Sequence, residues 1–204
     1  MTKAVRLLTG RVSRPPVLEL AYVVLLDDEV HNFIGRLQLA ILDACGRGPV
    51  FHAVPHITLK LGFKVAHVEP FARYLDTLAD SIGGFDICLR HLATFDEGVV
   101  YLAVEDNPSL ERVRRRMLDD LSTRYGIVPH PIEDARFLFH ATIAAGLSRA
   151  QIDALRPRLA EPTPRFCFRP DTLAMLCHTG DQWITGRKAT LPHARTVMEK
   201  APGP

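Results

Sequence analysis

The chain has 204 residues, 47% of them hydrophobic and 24% charged, with a net charge of +2. That make-up belongs to a globular protein long enough to bury a core without metal or disulfide staples. So mild a positive balance excludes recruitment to nucleic acid by bulk electrostatics, yet allows a small anionic substrate in a locally positive cleft.

Residues 1–19 read as an arm closed by Pro15 and Pro16. The run Ala21–Leu26 (AYVVLL) is a buried strand. Asp27 or Asp28 caps a helix through about Ala44, with Val30, Phe33, Ile34, Leu37 and Ile41 along one face, and Gly46 and Gly48 stop it. Pro55–Leu61 (PHITLKL) is the second strand, residues 69–81 form a helix, and Phe85–Leu92 is a third strand. The pattern then restarts. Val99–Val104 is a strand, Asn107 caps a helix over 108–125, and Phe137–Ala144 (FLFHATIA) is a strand. Ser148 caps a helix to about Leu159, and strands follow near 165–169, 172–178 and 183–191, the last two joined by the turn Thr179-Gly180-Asp181.

Each half therefore runs strand, helix, second strand, helix, strand. The fold class expected is α+β, with sheets of largely antiparallel strands and helices outside. Residues 20–192 are expected to form a single domain, and 193–204 a tail. No apolar run approaches the roughly 20 residues of a membrane span. The basic N-terminus lacks the apolar segment of a signal peptide, so a cytoplasmic setting is expected. Cys45, Cys88, Cys167 and Cys177 include no CxxC pair and are expected to be reduced thiols.

The second strand of each half carries His-apolar-Thr-apolar: His56-Ile57-Thr58-Leu59 and His140-Ala141-Thr142-Ile143. With 9 His in the chain, chance supplies only about 0.6 H-x-T matches. Two matches at equivalent places in two similar halves are a constellation. Alternation along a strand puts His and Thr on one face and the apolar pair on the other. The apolar face can pack on helices while the polar pairs meet across a cleft. Two imidazoles, each titrating near neutrality, can serve as acid and base on opposite sides of a phosphorus. Two hydroxyls can donate to its non-bridging oxygens.

The segments VPHITLKLGF and FLFHATIAAGL resemble the paired HxTx motifs of the two-histidine phosphoesterase superfamily, which includes bacterial 2′-5′ RNA ligase-like proteins and cyclic phosphodiesterases. The resemblance spans about 20–191. It implies that residues 20–192 form one bilobal domain, a two-lobed, pseudo-twofold fold in which antiparallel sheets line a central cleft. It also implies hydrolysis of a 2′,3′-cyclic or related cyclic phosphate on a nucleotide or RNA end, with no metal or other cofactor required. It makes His56 and His140 the acid and base, and Thr58 and Thr142 the phosphate clamps. Relatives that join 2′-5′ RNA ends or only bind nucleotides define the alternatives. A basic residue often follows the second motif in relatives, whereas Ala144-Ala145-Gly146 follows it here.

Lys60 shares a strand face with His56 and Thr58 by parity and joins the expected phosphate-binding set. Leu138 shares the cleft face, and Phe137 and Phe139 fall on the core side. His52 and His56 form H-x₃-H, but on a strand four residues span about 13 Å, too far for one ion. Arg112, Arg114, Arg115 and Arg116 are read as an outward helix face, with a weak RNA-backbone contact as the functional alternative. Trp183 is read as a packing residue that could otherwise stack on a base at the cleft rim.

Overall fold

The computed structural model describes residues 17–46, 53–95, 98–133, 137–160 and 164–192. The expected arm up to residue 16, the tail from 193, Gly48 and His52 lie outside them. The elements in chain order are β1 (Leu18–Leu25), α1 (Asp28–Cys45), β2 (His56–Val65), α2 (Glu69–Ser81), β3 (Ile87–Phe95) and β4 (Val99–Val104). They continue with α3 (Pro108–Tyr125), β5 (His140–Ala144), α4 (Arg149–Leu159), β6 (Phe166–Phe168), β7 (Thr172–His178) and β8 (Trp183–Thr190). A short 3₁₀ turn at Pro131–Glu133, not anticipated from sequence, precedes β5.

Three helices start where a short polar side chain can take an orphan backbone N–H. Asp27 accepts from Val30, Asn107 from Leu110, and Ser148 from Gln151 within a full capping box. Such a cap contributes about 1 kcal/mol. Gly46 closes α1, and Gly126, in the left-handed region at φ 68°, closes α3.

The strands form one curled antiparallel sheet in the order β6-β3-β4-β5-β2-β1-β7-β8. Its two central strands are the H-x-T strands, joined by the single pair Ile57↔Ala141. That seam divides the sheet into two lobes of four strands, and the two lobes are not the two halves of the sequence. β3, from the first half, pairs with β4 and β6 in the second lobe, while β7 and β8 return to β1 in the first. The helices exchange likewise: α1 packs on β5 and α3 on β2. Each lobe is thus built partly from the other's half of the chain.

One face of the sheet is buried under the helices. Leu20, Tyr22, Val24, Ile57, Leu59, Leu102, Ala141, Ile143 and Met175 join the inner faces of α1 to α4 in one continuous core. Ile57 is fully buried, and burial of such a side chain contributes roughly 1.5–3 kcal/mol. The opposite face is the cleft. Among the described residues no helix is long and apolar enough to cross a membrane.

The cysteine expectation is corrected. Cys88 and Cys167 stand directly opposite each other in the β3–β6 pair and are joined in a disulfide with Cα atoms 4.1 Å apart. Strand pairing brings together thiols separated by 79 residues, which spacing alone does not reveal. Cys45 and Cys177 are free.

Candidate active site

Both H-x-T strands leave the helical core with the same orientation. Ile57, Leu59, Ala141 and Ile143 are fully buried on the core side. His56, Thr58, His140 and Thr142, each half-buried, therefore occupy the cleft side. Continuing the antiparallel register from Ile57↔Ala141 sets His56 opposite Thr142 and Thr58 opposite His140. Adjacent strands lie about 4.8 Å apart, so the four side chains form one box across the seam.

The two imidazoles are held in the same way. Nδ1 of His56 donates to the carbonyl of Val54 at 2.6 Å, and Nδ1 of His140 donates to the carbonyl of Leu138 at 2.7 Å. Each acceptor lies two residues upstream. In the first case Pro55 intervenes, and a residue before proline is confined to extended backbone, which holds the Val54 carbonyl toward the ring. A carbonyl can only accept, so the proton sits on Nδ1 of the neutral ring and Nε2 is left with a lone pair. In each charged ring Nε2–H becomes a donor. Burial lowers the His56 pKa below its ordinary value, and the His140 charge lowers it further, against a rise from the Val54 carbonyl. Burial also lowers the His140 pKa, opposed by the Leu138 carbonyl. The coupling places the two rings within electrostatic reach of each other.

Aromatic walls that the sequence reading missed flank this box. The ring of His140 stands 5.1 Å from both Phe95 and Tyr101, which are themselves stacked at 4.2 Å. Register explains it: Tyr101 pairs with both Thr142 and Ala93, so β4 and β3 continue the cleft face outward from β5. Gly98, at φ 78° between β3 and β4, has no room for a side chain, because a Cβ would strike the Leu147 carbonyl. That fit holds the Phe95 end of the hairpin down. On the first lobe Ala21, Val23, Ala174 and Leu176 form a small apolar floor under Trp183 and Val54. Trp183 packs as expected, and its ring lies 5.0 Å from that of His178. Leu138 is exposed, Phe139 buried and Phe137 packed against the core, as parity indicates.

Lys60 is a correction. It is 1% exposed and points to the core side, where its ammonium bonds Glu133 at 2.8 Å and the Leu61 carbonyl at 3.2 Å. The cause is a bulge. Three steps of β1, from Val23 to Leu20, face five steps of β2, from Thr58 to Phe63. Lys60 consequently pairs with core-facing Tyr22, and Leu59 and Lys60 both turn inward. It therefore leaves the phosphate-binding set. Arg114 is a second correction: it is 2% exposed, lies 4.0 Å over the Phe137 ring and donates to the Glu133 carbonyl. Its position four after Leu110 and three before Met117 puts it on the buried stripe. Arg112, Arg115 and Arg116 face outward, and Arg112 and Arg116 border a cavity of about 330 Å³ on the helix side. Among the described residues no three His, Cys, Asp or Glu side chains converge as a metal site needs.

Comparison with known proteins gives one family match and several solved structures of the same fold. Residues 26–182 match the 2′-5′ RNA ligase superfamily. TT0787 of Thermus thermophilus shares the fold with a TM-score of 0.59 and 17% identity, over 86% of this chain and 98% of that one. Escherichia coli LigT in its apo form gives a TM-score of 0.62 at 15% identity, over 87% of this chain and 99% of that one. LigT complexed with 3′-AMP gives 0.60 at 16% identity, over 87% and 100%. No curated protein sequence matches the chain.

Proposed function

We propose a function from one premise: the chain belongs to the 2′-5′ RNA ligase superfamily. On this reading residues 20–192 act as one bilobal domain, a metal-independent phosphodiesterase that opens a 2′,3′-cyclic phosphate on a nucleotide or RNA end. The observation that carries it is the matched pair of histidines, each with Nδ1 on the carbonyl two residues back and Nε2 left for chemistry.

The reaction follows from that pair. The cyclic phosphate sits in the box with its non-bridging oxygens accepting from the Thr58 and Thr142 hydroxyls. The neutral imidazole takes a proton from water through Nε2 as the water oxygen bonds to phosphorus. The charged imidazole on the opposite side gives its Nε2 proton to the ribose oxygen as the P–O bond breaks. The product is a monoester with one free ribose hydroxyl, and the two rings have exchanged protonation states. The Nδ1 bonds keep both rings aimed throughout, so little reorganisation is required at the transition state.

Incubation with a panel of nucleoside and oligonucleotide cyclic phosphates in EDTA, with products separated by chromatography, tests the reading. Turnover is expected, and His56→Ala or His140→Ala is expected to reduce kcat by about 10²–10⁴ with the fold retained. Wild-type protein that binds these compounds but releases no product would refute hydrolysis and leave a nucleotide-binding module. Joined RNA ends on a gel would point to end-joining instead. LigT, a protein of the same fold, is known in complexes with 3′-AMP, ATP and NADP+, which makes nucleotides the sensible first panel.

A further inference from the structure

The cleft face of the second lobe carries a cation that the H-x-T chemistry does not use. His140 pairs with Ala103, and Ala103 pairs with Arg90, so the three residues form one row across β5, β4 and β3. Directly paired residues share a sheet face, and Arg90 therefore stands on the face of His140, two strands away or about 10 Å between Cα atoms. The residue between them is alanine, whose methyl leaves the row open. An extended arginine can cover much of that span.

Arg90 is exposed, and among the described residues no carboxylate lies within ion-pair distance of it. One acid within its electrostatic reach is Glu105, and that carboxylate is held by two nitrogens of the Arg165 guanidinium at 2.7 and 2.8 Å. Arg165, helped by Arg90 and His91, keeps Glu105 below the usual carboxylate range. The Arg90 charge is thus surplus to the local ion pairing.

The backbone sets the direction of this side chain. β3 has a bulge between Arg90 and Leu92, and His91 within it has φ 44°, alone among the described non-glycine residues in the left-handed region. An L side chain adopts that conformation at a cost, and bulges beside functional sites re-aim side chains. Uninterrupted alternation would turn residue 91 into the core. The bulge leaves His91 exposed and Arg90 on the cleft face, while Leu92 returns to the core.

We propose that Arg90, with His91 beside it, is a second anion subsite of the cleft, binding a phosphate adjacent to the reacting one on the same substrate. This rests on the reading of the H-x-T box as the site of the reacting phosphate. It narrows the substrate class to molecules with a further phosphate next to the cyclic one: an RNA 3′ end or a nucleotide phosphorylated at 5′ as well. The guanidinium supplies the bidentate charge-assisted contact that the residues after the second motif, Ala144-Ala145-Gly146, cannot.

Two measurements on wild type, Arg90→Ala and Arg90→Lys test it. Calorimetry compares adenosine 3′-phosphate with adenosine 3′,5′-bisphosphate. Wild type is expected to prefer the bisphosphate. Arg90→Ala should weaken the bisphosphate by about 10- to 100-fold, as loss of one charge-assisted contact does, and leave the monophosphate within about twofold. Arg90→Lys should keep part of the preference. Equal affinity of wild type for the two, or an equal loss of both in Arg90→Ala, would overturn the proposal. Because Arg90 is exposed, an unchanged melting temperature is expected to accompany the loss. Turnover of adenosine 2′,3′-cyclic phosphate with and without a 5′-phosphate separates the two readings. Hydrolysis of neither by wild type defeats the phosphodiesterase, whereas the binding contrast decides the subsite.

Discussion

Substitution of Glu133 by Gln should expose how much the fold depends on one buried charge. The Glu133 carboxylate, fully inaccessible, accepts from the Lys60 ammonium at 2.8 Å and from the backbone N–H groups of Leu61 and His130 at 2.7 Å each. Its own carbonyl accepts from Arg114. This carboxylate fills the gap that the β2 bulge opens, giving Leu61 N–H a partner and tying β2 to the segment that enters β5. Gln keeps the shape but removes the charge and replaces one acceptor oxygen with an NH₂ donor. That leaves the Lys60 ammonium, 1% exposed, without its counter-charge and sets the NH₂ against at least one of the three donors. Breaking one member of a buried pair costs about 3–5 kcal/mol. A chain of this size loses roughly 2–4 °C per kcal/mol, so the melting temperature should fall by roughly 6–20 °C. The double variant Lys60→Met with Glu133→Gln removes both charges of the pair, leaves Arg114 on the backbone carbonyl of residue 133, and retains one amide oxygen for a backbone donor. It should recover most of the loss, because a buried pair replaced as a unit is often near neutral. Thermal and urea unfolding of the four proteins in a double-mutant cycle measures this. A Glu133→Gln loss under about 1 kcal/mol, or a double variant no more stable than Glu133→Gln, would refute the argument.

The remaining expectations follow from titration and cross-linking. Because both histidine pKa values lie below the ordinary 6.5, the bell of kcat/KM against pH should peak on the acid side of that value. A peak well above it in the free enzyme would contradict the burial of the rings. The same shifts bear on stability. Between 6.5 and the lowered folded values the unfolded chain binds protons that the native rings resist. Stability should therefore fall as pH drops through that window. His56→Asn with His140→Asn should flatten that segment of the curve, which unfolding at several pH values measures. Reduction of Cys88–Cys167 opens a link between residues 79 apart and should destabilise by up to about 4.5 kcal/mol in the chain-entropy treatment. A mass gain of two hydrogens with a lowered melting temperature checks it, and Cys88→Ser with Cys167→Ser should match the reduced protein.

Local pattern was a sound guide wherever local chemistry decides the outcome. Asp27, Asn107 and Ser148 cap the helices that their positions announce, and α2, α3 and β4 keep the bounds that periodicity assigns. His56, Thr58, His140 and Thr142 were legible as a set because alternation is unbroken from 56 to 58 and from 140 to 142, and the intervening apolar residues are all in the core. Parity fails at Lys60 two residues later, for a reason that lies in another strand. The bulge is defined by how β2 counts against β1, and Gly62, a residue type that often marks one, does not say which side chain turns inward. The same holds for Arg90 and His91, whose orientation follows from β3 counted against β4. Phe95, Tyr101 and the paired Cys88 and Cys167 likewise become neighbours only through register. Arg114 is different, since the helical stripe through Leu110 and Met117 passes over it; there the period, not the charge, decides which way the side chain faces. The exchange of β3 and β7 between lobes extends the point to topology, because each half-sequence reads as complete yet neither lobe is formed by one half. Lys60, which parity misassigned, lies where a bulge interrupts the count, and that bulge and the one in β3 lie on strands flanking the H-x-T seam. One buries a lysine to brace the strand that carries His56, and the other leaves an arginine on the sheet face of His140. A sequence can declare its reactive groups locally, but the cations around them are placed by the pairing of strands far apart in the chain.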